Sequence, residues 1–106
     1  MDNSIVRHVL ACKFSKEMSA ETFEALIGEF RGLQTKIEGI LSFEYGVNDS
    51  GEGIDQGMTH VISLTFASAA ARDAYLPHPA HRQFVEYMGG LHVLESILVV
   101  DYSPRP

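Results

Sequence analysis

The order in which the hydrophobic period changes along this chain constrains its fold more than any single motif does. From Ile5 to Phe14 the residues alternate, with Val6, His8, Leu10, Cys12 and Phe14 on one side, the two-residue period of a strand. Ser19 then offers an N-cap with Glu21 in the first turn, and Phe23, Leu26, Ile27, Phe30, Leu33 and Ile37 recur at the spacing of an amphipathic helix. Gly39 suits the C-terminal cap of that helix. Leu41, Phe43, Tyr45 and Val47 alternate as a second strand. Met58 to Phe66 alternates again, with Met58, His60, Ile62, Leu64 and Phe66 sharing a face. Between them, Asn48-Asp49-Ser50-Gly51-Glu52-Gly53 is a turn-forming cluster, expected to be an exposed, mobile loop. Ser68 caps a short helix through Ala74, Pro79 opens another that ends at Gly89-Gly90, and Val93 to Tyr102 forms the last strand. Strand, helix, strand, strand, broken helix, strand predicts an α+β fold. Its form is a ferredoxin-like split βαβ with a four-stranded antiparallel sheet, helices on one face, and the first and third strands as central neighbours.

The 106 residues predict a single domain over 1–106, large enough for a two-layer core and no more. A net charge of -6, with eight scattered Lys and Arg, argues against a nucleic-acid partner. The lone Cys12 lies in an apolar strand, so it predicts a buried thiol and a reducing, cytoplasmic setting rather than a stapled secreted fold. Met1-Asp2-Asn3-Ser4 begins no targeting pattern, and no segment is long enough to span a bilayer, so a soluble protein without a membrane partner is expected.

Chemistry concentrates in Tyr75-Leu76-Pro77-His78-Pro79-Ala80-His81. Each proline biases the residue before it, Leu76 or His78, toward extended backbone and breaks the incoming helix. A new helix starting at Pro79 has His78 at its cap and His81 in its first turn, where the positive helix end favours a neutral imidazole able to accept a proton. His8 and His60 are each the one ionisable residue on an otherwise apolar strand face. Adjacent central strands could set them side by side as the polar points of a small-molecule pocket, although each is also compatible with a core histidine satisfied by one hydrogen bond. A metal at His78 and His81 is disfavoured, because the glutamate of a zinc-protease helix is missing. Gly51 and Gly53 sit in a polar turn that opens no helix, so they do not form a phosphate cradle. The opposite strand faces, with Arg7, Val9 and Ala11 on one strand and Thr59, Val61, Ser63 and Thr65 on another, are too apolar for open solvent. They predict a homodimer through the sheet face.

Arg7-His8-Val9, Thr59-His60-Val61, the His-Pro-Ala-His run, Phe84 and the ending Asp101-Tyr102-Ser103-Pro104-Arg105 together resemble the stress-responsive A/B barrel family, Dabb, over nearly the whole chain. The resemblance implies a dimeric α+β barrel. It extends to a plant member that cyclises a linear polyketide thioester by intramolecular aldol condensation. That member's catalytic Tyr and His match Tyr75 and His81, and its pocket residues match His8, His60 and His78. Its aromatic pocket wall corresponds here to Leu26, Ile27 and Phe30, and the stretch around Met88-Gly89-Gly90 is slightly longer, so the cavity and substrate are expected to differ. What the resemblance implies is a cofactor-independent lyase, cyclase or isomerase acting on a small apolar or carbonyl-containing ligand, with no metal. The alternatives are a non-catalytic small-ligand binder and a stress-related structural dimer.

Overall fold

The computed structural model describes residues 4–106; Met1, Asp2 and Asn3, part of the N-terminal segment considered above, lie outside the described residues. The elements run β1 (Val6–Phe14), α1 (Ala20–Lys36), β2 (Ile40–Val47), β3 (His60–Phe66), α2 (Ala69–Tyr75), α3 (Pro79–Leu91) and β4 (Leu94–Tyr102). The strands form one sheet in the order β2-β3-β1-β4, every pair antiparallel. This is the ferredoxin-like α+β arrangement that the order of periods predicts, with β1 and β3 central.

Alternation along β1 buries the side carrying Val6, His8, Leu10, Cys12 and Phe14 and leaves Arg7, Val9, Ala11 and Lys13 half-covered. Onto the buried side α1 lays Leu26, Ile27, Phe30 and Leu33, all buried, and α3 adds Phe84. Removing a side chain of this size from water stabilises the fold by roughly 1.5–3 kcal/mol before entropy is counted, so this stripe orients the helix. Ser19 Oγ accepts the Thr22 N–H at 3.1 Å and Ser68 Oγ accepts the Ala71 N–H at 3.1 Å, the two N-caps expected. On the outer face, Arg7 Nη1 donates to Thr65 Oγ1 at 2.7 Å, which satisfies the one polar side chain buried there on β3. No described helix is long and apolar enough to cross a membrane.

Three boundaries differ from the sequence reading by more than one residue. α1 is capped by Ile37 in extended conformation, and Gly39 makes the turn two residues later at φ +94°. α3 does not end at Gly89-Gly90. It runs through both to Leu91 and stops where His92 adopts the left-handed conformation, its N–H donating to the Gly89 carbonyl at 3.3 Å. Met88 and Leu91 pack against the core, which offsets the propensity of roughly 1 kcal/mol lost at each glycine. β3 begins at His60 because the Met58 N–H closes a turn onto the Asp55 carbonyl at 3.1 Å. The preceding polar loop is exposed, yet it is tied. Asn48 donates to both Asp55 and the Met58 carbonyl, and Asp55 accepts the Gly57 N–H at 3.0 Å, which lowers the Asp55 pKa.

Candidate active site

The site begins at the elbow between α2 and α3. His78 is extended, as a residue before proline should be, and its Nδ1 accepts the Ala80 N–H at 3.0 Å as the N-cap of α3. Leu76 is not extended; it keeps right-handed helical angles despite Pro77. Two bonds explain the exception. The His78 N–H closes the turn onto the Tyr75 carbonyl at 3.1 Å, and the Leu76 carbonyl is thereby turned toward α3, where it meets His81 Nδ1 at 2.9 Å. A carbonyl only accepts, so His81 Nδ1 carries the hydrogen and Nε2 keeps its lone pair.

Tyr75, the last residue of α2, is 1% exposed, and its ring lies against His81 with centroids 4.2 Å apart. Burial pushes its phenol well above the ordinary value, so it stays protonated and can donate. The hydroxyl makes no hydrogen bond to a described residue, and no buried side-chain oxygen or nitrogen among them is unsatisfied. The little surface that Tyr75 exposes therefore includes its hydroxyl. His81 is held below the ordinary histidine value chiefly by burial, with smaller contributions from His8 and His78, partly opposed by the bond to Leu76. Burial thus favours the neutral ring, the same direction that the sequence leads one to expect from the helix end.

His8 completes the cluster. It lies edge-on to Tyr75 and to Phe66, centroids 5.8 Å from each, and its Nδ1 sits 2.7 Å from Asp101 Oδ1. The other oxygen of Asp101 accepts from Arg72 Nη1 at 3.0 Å, while Arg72 Nε donates to Asp73 at 2.8 Å. No local sequence pattern marks Asp101 or Arg72 as part of the cluster. Their signal lay in the β1–β4 register, which pairs His8 with Asp101, and in Arg72 standing one helical turn before Tyr75.

His60 falls elsewhere. The β1–β3 register pairs His8 with Leu64 and Cys12 with His60, so the two histidines are four residues apart along the sheet rather than side by side. His60 stacks among Phe14, Phe23 and, beyond them, Tyr45, with its Nδ1 2.8 Å from Thr59 Oγ1. Leu26, Ile27, Phe30 and Phe84 belong to the packed core between these two ends, Phe30 stacking on Phe84 at 4.5 Å. Cys12 is buried, which pushes its thiol up to about 11 and makes it a poor nucleophile. Outside the elbow, Leu76, His81, Arg82, Val85 and Glu86 line a groove of about 320 Å³. Among the described residues no group of three or more His, Cys, Asp or Glu is placed to hold a metal ion.

Fold and cluster together define a ferredoxin-like α+β domain whose helix layer carries a Tyr–His pair backed by a His–Asp–Arg chain. The chain belongs to the stress responsive A/B barrel domain family, which it matches over residues 6–104. It is 38% identical over 99 residues to the stress-response A/B barrel domain-containing protein HS1 of Arabidopsis thaliana, covering 93% of this chain and 89% of that one. It is 27% identical over 100 residues to olivetolic acid cyclase of Cannabis sativa, covering 94% and 97%. Among solved structures, a hydroxynitrile lyase from Passiflora edulis superposes with a TM-score of 0.82 at 22% identity, covering 98% and 96%. A dimeric ferredoxin-like protein of unknown function from Jannaschia sp. CCS1 superposes at 0.77 with 24% identity, covering 94% and 99%. Both structural likenesses are of fold.

Proposed function

We propose that the chain moves a proton at the carbon next to a carbonyl, as a cofactor-independent cyclase-like lyase or isomerase acting on a small, polyketide-like carbonyl compound. The observation that carries this is the contact of Tyr75 with His81, the phenol protonated and without a partner, the imidazole neutral with Nε2 bare. In the proposed step His81 Nε2 takes the proton, the C–H electrons form the enolate double bond, and the Tyr75 O–H hydrogen-bonds the enolate oxygen. The enolate carbon then attacks a second carbonyl, whose π electrons pass to its oxygen and take the proton back from His81, or the carbon itself is reprotonated by His81. Either path balances without an oxidant or reductant. In this reading His8, steadied by Asp101, would hold a second carbonyl. Leu26, Ile27, Phe30 and Phe84 give the apolar backing, His78 fixes the elbow, and His60 would touch only a ligand long enough to reach the far end of the sheet. That a relative matched along its length is named a cyclase supports the reading.

The test follows exchange of the carbonyl-adjacent protons of a β-keto thioester, acetoacetyl-N-acetylcysteamine, in deuterated buffer by NMR. Wild type should exceed the buffer rate, His81→Ala should lose about 100-fold or more, and Tyr75→Phe should lose a comparable part while both still bind. No acceleration by wild type, or equal loss of binding and exchange, would instead favour the second reading, a non-catalytic binder or stress-related structural dimer. One observation favours that alternative: the space beneath Tyr75 is packed with core side chains.

We further propose a homodimer through the outer sheet face. Val61, Leu98, Val100 and Tyr102 are exposed there beside half-covered Val9 and Ala11, a patch larger than isolated surface apolar residues explain. A neighbour of the same fold is described as dimeric.

A further inference from the structure

We infer that Arg82 makes the groove beside His81 selective for a carbonyl compound bearing a carboxylate, a keto acid in preference to the corresponding neutral ester. This rests on His81 being the base and adds the class of substrate it meets. The groove is lined by Leu76, His81, Arg82, Val85 and Glu86. Leu76 and Val85 are 48% and 45% exposed, so two apolar side chains stand open in the same groove as a cation. The other arginines near the cluster are committed: Arg72 to Asp73 and Asp101, Arg7 to Thr65. The Arg82 guanidinium has no ion pair or side-chain hydrogen bond among the described residues.

A guanidinium fork matches a carboxylate in two parallel hydrogen bonds, which fixes direction as well as position. Arg82 directly follows His81 in the first turns of α3, where the helix end adds positive potential. A carboxylate held there brings the adjoining carbons to His81 Nε2, and the short hydrocarbon between them lies on Leu76 and Val85. Glu86, one turn later on the same side, opposes an incoming anion and sets a sign that can be tested.

The experiment titrates full-length protein with 4-oxopentanoate and, separately, with its methyl ester, reading the His81 ring Cε1–H resonance by NMR. The acid should bind about tenfold more tightly than the ester, the scale of one charge-assisted pair. Arg82→Gln should abolish that preference, Arg82→Lys should keep part of it, and Glu86→Gln should enlarge it. Equal affinities in wild type, or a preference that survives in Arg82→Gln, would overturn the inference. If both compounds bind alike while exchange catalysis persists, the role of His81 stands and only the anion selectivity falls. If neither moves the resonance, the groove is not a ligand site and the inference is lost, whereas the exchange assay still reports on His81 separately.

Discussion

His78 and His81 stand three residues apart and have opposite roles, decided by which ring nitrogen the backbone claims. The bare Nδ1 of His78 accepts an amide and caps a helix, while His81 gives its Nδ1–H to a carbonyl and keeps Nε2 open. Because burial lowers the His81 pKa, its base form should persist into mildly acid solution. The acid limb of the exchange rate is therefore expected below the ordinary histidine value of 6.5, as a pH–rate profile would show. The same depression links to stability. The unfolded chain binds a proton where the folded one does not, so the contributions of His81 and of His60, also lowered by burial, are full above that value. They are lost as pH falls through it toward the folded values. Urea midpoints should drop over that window, and less so in His60→Gln. Asp101→Asn removes the charged acceptor shared by His8 and Arg72; urea unfolding should register a loss of about 2 kcal/mol, and nitrogen NMR a changed His8 tautomer. Tyr75, His78 and His81 were legible because proline punctuates a chain locally. Asp101 was not, because its partner lies 93 residues away and is met only through strand register.

At the scale of elements, two glycines predict opposite signs. A Cβ at Gly39 would stand 2.6 Å from the Ala71 Cβ on a backbone at φ +94°, so Gly39→Ala should lose about 1–3 kcal/mol and loosen the seat of α2. Gly89 is helical with open space around it, so Gly89→Ala should gain about 0.5–1 kcal/mol. Chemical denaturation of the pair checks both. The sequence suggested a helix end at Gly89-Gly90 because glycine pairs usually break helices. Packing of Met88 and Leu91 against the core overrides that local preference, and a single chain read without its neighbours does not display it. Leu76 is the same lesson in reverse: proline disfavours its helical angles, and two hydrogen bonds formed by the elbow restore them.

Across the whole molecule, alternation determined which face of each strand is buried, and element order determined the topology. Neither specifies how far one strand slides past another. That sliding separates His60 from His8 and brings Asp101 to His8. The uncovered sheet face carries the last prediction. Leu98→Lys, at an exposed outer position of β4, should leave a monomer where the proposed dimer predicts twice that mass for wild type in light scattering after size exclusion, with the helix-side cluster unaffected. The elbow also divides two tasks at a single position. The acceptor that fixes the His81 tautomer is a main-chain carbonyl, a group every amino acid brings to position 76. The side chain at that position lines the groove, so a substitution there changes what the groove admits while the carbonyl that orients the His81 ring stays in place.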